Sequence, residues 1–397
     1  MVTIILITYN RPEYLRRLLQ YFCYYGVKHQ IFVGDASEPE ALHRNKDVIS
    51  EFDPVMNISH LIYPNSSDTW EVVHRCIEKT ETKYVLWVAD DDFIVPTTLD
   101  MSVDFLERNP SYETARGRQI GFVTGSDGPH SRSVNIFRIN WGDDLATVGM
   151  TGADRIRKRM AQNTRYPTPF TTFALMRTHT AKRLFQEIMS LGLDHPNTES
   201  TLSHLLMIAG NSKLINRLFS IRQGHGGQQS HSAHGKYVPI LTASVNGPSY
   251  EPINDLRGAD KLIMAQDFYD ILNDPLFSVK QDRKTRCITD ELMRHDGLSW
   301  EQSDRIVKYW NAHFWAKELE TLFYSDKGYQ GDIVGNGGQS LSMRLKSWIK
   351  HTPGLEQARQ KLRSVTGGEV SLRHWLHPNL SLYTDLRPFY RSINTLP

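Results

Sequence analysis

The chain reads as an α/β protein: a mixed, mainly parallel sheet with helices on both faces, followed by a helical C-terminal extension. Two observations predict this. Short apolar runs of strand character alternate with segments whose apolar residues recur at helical spacing, and each run ends in a polar loop of the kind found at the carboxyl edge of a parallel sheet. The clearest run is Tyr84-Val85-Leu86-Trp87-Val88-Ala89, which stops abruptly at Asp90-Asp91-Asp92.

Taken in order, Val2 to Thr8 is continuously apolar apart from its threonines, as expected of a strand buried on both faces. Pro12 sits where a first helical turn tolerates it, and Leu15, Leu18, Leu19 and Phe22 mark one helix face that Gly26 terminates. Gln30 to Val33 forms a second strand leading into the loop Gly34-Asp35-Ala36-Ser37. A third strand is expected over Ile58 to Tyr63, a helix over Trp70 to Thr80, and the strand from Tyr84 to Ala89 delivers the acidic triplet. Ligands of such sheets bind beyond the carboxyl ends of the strands.

Three adjacent carboxylates repel one another, and a hard divalent cation that also holds phosphate oxygens makes such a cluster tolerable. The triplet therefore reads as a metal-diphosphate site for Mg²⁺ or Mn²⁺. Asp-rich turns also end strands simply because they are solvated and favour local turn hydrogen bonds, so the triplet alone leaves both readings open.

Ile7-Thr8-Tyr9-Asn10-Arg11, Val33-Gly34-Asp35-Ala36-Ser37 and Ala89-Asp90-Asp91-Asp92 together resemble the successive landmarks of family 2 glycosyltransferases, whose nucleotide-sugar-binding domain has the three-layer α/β/α fold called GT-A. The resemblance implies that Thr8, Tyr9, Asn10, Arg11 and Asp35 contact the base and ribose of a nucleotide-diphosphate sugar. It also makes Asp90 to Asp92 the "DXD" element, with Asp90 and Asp91 at the donor and Asp90 and Asp92 at the metal. Two positions depart from the family: Gly34 stands where a second acid is usual, and Ala36 where glycine is usual. The family's Arg-Asn pair is matched in position only by His74-Arg75, which makes Arg75 a candidate for the diphosphate.

Further along, Thr198-Glu199 opens an amphipathic segment with Leu202, Leu205 and Leu206 that ends at Gly210. This is similar to the family's catalytic-base helix, with Thr198 in place of the first acid and Glu199 in place of the base. A carboxylate in a first helical turn is also favoured by the helix dipole alone. The family reading gives direct displacement with inversion, the base taking the acceptor hydroxyl's proton. Asp143, Asp144 and Asp194 are rival carboxylates. In the Gly-rich loop from Gln223 to His234, His225 stands nearest the family's metal-completing histidine. The spacing of His225, His231 and His234 matches no closed zinc site, and a lid over the donor is the other reading of this loop.

The 397 residues carry a formal charge of +2 and three cysteines, Cys23, Cys76 and Cys287. Widely spaced and odd in number, the cysteines are expected as reduced thiols in a cytoplasmic protein. The apolar N-terminus has no basic leader and stops at Asn10-Arg11-Pro12, so no signal peptide is expected. The expected organisation is a GT-A domain over 1–236, a helical extension over 237–338 and a basic amphipathic tail over 339–397. The extension shows helical patterning at Leu262, Ile263, Phe268, Ile271 and Leu272, and again at Ile306, Tyr309, Trp310, His313, Phe314 and Leu319. The region 113–151 shows little periodicity; Arg118 and Trp141 there are candidates for an acceptor sugar. From Leu341 onward nine Lys and Arg face three acids, with Leu341, Leu345, Trp348 and Ile349 on one helical face. That pattern fits an interfacial helix on an anionic membrane surface at the inner face of the cell membrane, or a helix packed on its own domain. No nucleic-acid recognition motif is present.

The function expected from the whole is a metal-dependent glycosyltransferase acting on a glycan or lipid-linked acceptor, in surface polysaccharide synthesis. The alternatives are a nucleotidyltransferase of similar fold, which would usually show a Gly-rich, Lys-containing N-terminal loop, and a non-catalytic sugar-binding protein.

Overall fold

The computed structural model describes residues 2–124, 128–131, 134–138, 146–161, 173–193, 195–224 and 275–308, together with Phe389 and Ile393. The elements run β1 (Val2–Thr8), α1 (Pro12–Tyr24), β2 (Gln30–Asp35), α2 (Pro39–Phe52), β3 (Ile58–Ile62), α3 (Thr69–Lys79), β4 (Tyr84–Ala89), β5 (Phe93–Ile94), α4 (Pro96–Arg108), β6 (Tyr112–Thr124), β7 (Val134–Arg138), α5 (Gly152–Ala161), β8 (Leu175–Arg177), α6 (Thr178–Met189), α7 (His195–Ala209), β9 (Asn211–Gln223) and α8 (Pro275–Asp296). A further helical stretch covers 300–308.

One nine-stranded sheet takes the order β3-β2-β1-β4-β8-β6-β9-β5, with β7 paired to β6. The β3-β2-β1-β4 ladders are parallel, β8 runs against both β4 and β6, and β9 is parallel to β6, so the sheet is mixed with most strands pointing one way. Alternation along β1 explains the layers. Val2, Ile4 and Leu6 face a core closed by α1, α2 and α4, while Ile5 and Ile7 face a second core closed by α3, α6, α7 and α8. This is the expected three-layer α/β/α arrangement.

Local chemistry sets the boundaries. Pro12, Pro39 and Pro96 open α1, α2 and α4, where a missing N–H costs nothing. Gly26 takes a left-handed φ of 63° just past α1, and the Asp68 side chain caps α3 by accepting from the Glu71 N–H at 2.8 Å. The buried Arg155 guanidinium donates to the carbonyls of Met207 and Ile208 at the C-terminal end of α7, fixing that helix against α5.

Chain beyond residue 237 contributes to these cores. Cys287, Ile288, Leu292 and Val307 are buried in the second core, and Phe389 and Ile393 are fully buried in the first. The expected helix over Leu262 to Leu272 lies outside the described residues, as does the basic segment beginning at Leu341 apart from Phe389 and Ile393. Among the described residues no helix is long and apolar enough to cross a membrane.

The structure also explains the glycine at position 34. A Cβ there would stand 2.8 Å from Val72 Cγ1 and 3.0 Å from both Cys76 Sγ and Ile7 Cδ1, because α3 lies directly on β2. Gly34→Ala is expected to lower stability by about 1–3 kcal/mol through overpacking. Chemical denaturation checks this; a midpoint equal to that of the wild type would show that α3 yields.

Candidate active site

Because β1 and β4 are parallel neighbours in the register Ile7↔Ala89, their following loops leave the sheet side by side. The Asp90 N–H continues the ladder by donating to the Ile7 carbonyl at 3.1 Å. Thr8 Oγ1 then donates to Asp90 Oδ2 at 2.7 Å, and Arg11 spans two carboxylates, with Nη2 2.6 Å from Asp90 Oδ1 and Nη1 2.8 Å from Asp91 Oδ2.

The third carboxylate is held from the far side of the sheet. Asp92 Oδ1 accepts from the Gln223 N–H at 3.0 Å and Oδ2 from Arg222 Nε at 3.2 Å, both at the end of β9. Arg17, on α1, donates to the Asp91 carbonyl at 2.8 Å and to Gln223 Oε1 at 2.7 Å. Three adjacent carboxylates call for compensating positive charge, and the guanidiniums of Arg11, Arg17 and Arg222 surround them.

The electrostatics follow from burial. Burial pushes the Asp90 and Asp92 carboxyls well above the ordinary carboxylate range, outweighing the pull of Arg11 on Asp90 and of Arg222 on Asp92. Burial acts in the opposite direction on the guanidiniums. It pushes Arg17 down to about 10, whereas at Arg11 the charges of Asp90 and Asp91 overcome it and raise the group. Arg222 is also raised: burial opposes the shift, but Asp92, then Glu199, then Asp91 overcome it.

That last relation joins two landmarks far apart in sequence. Glu199 lies half-buried in the first part of α7, within electrostatic reach of the guanidinium that also bonds Asp92. Arg222 also lies over the Phe173 ring, whose centroid is 4.3 Å from the guanidinium carbon.

On the β2 side, Asp35 is fully buried and committed to its own loop. It accepts from the Ser37 N–H, from Asn45 Nδ2 and from the His60 ring, each at 2.9 Å. Burial raises its carboxyl, but these hydrogen bonds outweigh that and hold it below the ordinary value. Asn10, at a left-handed φ of 57°, ties the two loops together: its N–H donates to Ser37 Oγ and its Oδ1 accepts from the Glu38 N–H, both at 2.8 Å. Asn is among the few residues that adopt this conformation at low cost. Tyr9 is half-buried against the second core.

No family model matches the chain, and no curated protein matches it. Among solved structures it is similar to TarS 1-349 of S. aureus in complex with UDP-GlcNAc, at 17% identity and a TM-score of 0.44, over 82% of this chain and 90% of that one. The same fragment in complex with UDP gives 15% identity and a TM-score of 0.40, over 84% and 94%.

The sequence-predicted residues fall into three groups. Thr8, Arg11, Asp90, Asp91 and Asp92 form one connected cluster, with Glu199 joined to it through Arg222, and Asn10 and Asp35 organise the adjoining loop. Arg75 pairs with Glu71 on its own helix and lies over the Tyr63 ring at 5.9 Å. Arg118 is exposed on β6 and donates to Asn216 Oδ1. His225, Asp143, Asp144, Asp194 and Trp141 lie outside the described residues.

Arg17 and Arg222 went unread in the sequence, and Gln223 was named only as the start of the Gly-rich loop. Arg17 carried a signal, since it interrupts the apolar face of α1 between Tyr14 and Tyr21, and a charge there needs a buried partner.

The donor chemistry suits a hard divalent ion at one position. Each Asp92 oxygen accepts one hydrogen bond and has capacity for a second, and the side chain keeps a small exposed edge. Asp90 differs. Its side chain has no exposed surface, with Thr8 bonded to Oδ2 and the Arg11 guanidinium paired with Oδ1. Among the described residues no group of three His, Cys, Asp or Glu lies together in a metal-holding arrangement.

Proposed function

We propose that this chain is a glycosyltransferase that moves a sugar from a nucleotide-diphosphate donor to an acceptor hydroxyl with inversion at the anomeric carbon. The observation supporting this reading is the convergence of Asp92, at the carboxyl end of β4, and Glu199, on α7, upon the single guanidinium of Arg222. A donor-binding carboxylate and a candidate base thus share one rim of the sheet, where α/β ligands bind.

In this reading the nucleotide lies across the loops Thr8 to Arg11 and Asp35 to Ser37, which Asn10 keeps in fixed relation. Glu199 accepts the proton of the acceptor hydroxyl as its oxygen bonds to the anomeric carbon. The bond from that carbon to the diphosphate oxygen breaks on the opposite face, and the diphosphate leaves with the electron pair. The Arg222 guanidinium lies within electrostatic reach of Glu199 and so links the base to the Asp92 side of the rim. Mg²⁺ or Mn²⁺, when bound at Asp92, neutralises charge on the leaving diphosphate. A glycan or lipid-linked acceptor at an anionic membrane surface is part of the proposal, and it is supported by the basic, amphipathic sequence pattern from Leu341 onward.

Thermal melts against a panel of nucleotide sugars, with and without Mn²⁺, test the reading. One donor is expected to stabilise the protein by roughly 2–3 kcal/mol at a hundredfold excess over its dissociation constant, and more so with the ion. Stabilisation by a nucleoside triphosphate with a sugar phosphate, and by no nucleotide sugar, would move the assignment to nucleotidyl transfer.

A further inference from the structure

We propose that Phe389, near the C-terminal end of the chain, is a positioning residue for the acidic cluster: its ring holds Phe93 and Phe122 against Arg17, and Arg17 fixes the backbone of Asp91 and the side chain of Gln223. The donor-binding part of the test rests on the glycosyltransferase reading; the structural part does not.

Phe389 is fully buried and meets two rings edge to face, Phe93 at 5.0 Å between centroids and Phe122 at 4.9 Å. Both of those rings face the Arg17 guanidinium, whose carbon lies 4.7 Å from the Phe93 centroid and 5.9 Å from that of Phe122, with Tyr14 at 5.0 Å. Arg17 has no exposed surface. Its two terminal nitrogens donate to the carbonyls of Asp91 and Pro129 and to Gln223 Oε1, while Nε is buried with no hydrogen-bond partner among the described residues. A guanidinium buried on these terms depends on aromatic faces to replace the water it has lost.

Gln223 passes the constraint to the cluster, because its N–H is the donor to Asp92 Oδ1. The loop 128–131 is bracketed by the same groups: Pro129 accepts from Arg17, Gly128 accepts from Gln223 Nε2 at 3.2 Å, and the Ser131 N–H donates to the carbonyl of Ile393 at 3.3 Å. Two buried residues of the C-terminal segment, Phe389 and Ile393, therefore close the wall behind Asp91 and Asp92. Replacing the Phe389 ring with a methyl group opens a cavity on the uncharged side of Arg17, admits water there, and loosens the bonds to Asp91 and Gln223.

The test uses the full chain with Phe389→Ala and Phe389→Leu. Phe185→Ala serves as the control, because Phe185 is equally buried but belongs to the second core. Hydrogen exchange is followed in peptides covering 88–95 and 218–224, after correction for each variant's global stability, and donor affinity is measured alongside. Phe389→Ala is expected to accelerate exchange in those two peptides roughly tenfold beyond the global change and to weaken donor binding by a similar factor. Phe389→Leu, which keeps apolar volume, should restore most of both, and Phe185→Ala should leave both peptides unchanged.

Equal behaviour of the Ala variants at positions 389 and 185 overturns the proposal. If Phe389→Ala does not fold, the milder truncations Phe389→Val and Phe185→Val take its place: equal exchange at 88–95 and 218–224 in that pair, after correction for global stability, overturns the proposal equally. Should the wild type bind no nucleotide sugar, the transferase reading fails while the exchange comparison still judges Phe389.

Discussion

Glu199→Gln is expected to lower the rate of the proposed sugar transfer by roughly 10²–10⁴-fold while leaving donor affinity within about twofold of wild type. The amide keeps the shape of the carboxylate and cannot accept the acceptor's proton, so the loss falls on the chemical step. The separation is informative because Glu199 and Asp92 share Arg222. Removing the Glu199 charge leaves Asp92 as the counter-charge of Arg222, and the donor side of the rim stays in place. Stopped turnover with unchanged donor binding by calorimetry supports the base assignment. Near-normal turnover transfers the role to Asp194 or to Asp143 and Asp144, and a matched loss of donor affinity makes Glu199 a binding residue.

How much of this was legible in the sequence depends on how each element is buried. β1 and β4 are buried on both faces, so their apolar runs are unbroken and end at Thr8 and Ala89, where the loops begin. α2 went unread because its core contacts come from Asn45, Val48, Ile49 and Phe52 alone, crowded into its second half. The long strand β6 went unread for another reason. Thr114, Arg116 and Gln119 are buried within it, Gly117 lies against the Arg217 carbonyl, and its pairing with β9 shifts register more than once, so no alternation of polar and apolar residues survives. The acidic triplet was visible as a motif. Its arginine partners were not, because pairing between α1, β9 and the end of β4 exists only after the sheet has formed. The role of Phe389 and Ile393, the two described residues of that segment, was hidden too, because a basic stretch dominates the composition there.

Asp92→Asn is expected to weaken metal-dependent donor binding by at least about 10–100-fold, the loss typical of changing even an indirect partner of a metal ligand. The same substitution should make the ligand-free protein more stable at alkaline pH, and the sign follows from burial. In the folded protein the Asp92 carboxyl is raised to about 6, with burial the main cause and Arg222 opposing it. As pH rises the unfolded chain ionises first, so this group's contribution to stability is full below the unfolded value and is lost as pH rises through the folded one. Asn is neutral throughout and mimics the protonated side chain, and Arg222 keeps Glu199 as its counter-charge. The variant should therefore exceed wild type by about 1–3 kcal/mol near pH 8, with a much smaller difference near pH 3.5, below the unfolded value. Melts at the two pH values, paired with calorimetry in the presence and absence of Mn²⁺, separate the possibilities. Lower stability of the variant at both pH values means that the bonds from Arg222 and the Gln223 N–H outweigh the cost of burying the charge. Unchanged donor affinity with unchanged metal dependence removes the ion from Asp92. A gain in stability accompanied by a loss of donor binding is the signature of a carboxylate kept charged and buried for the ligand it receives.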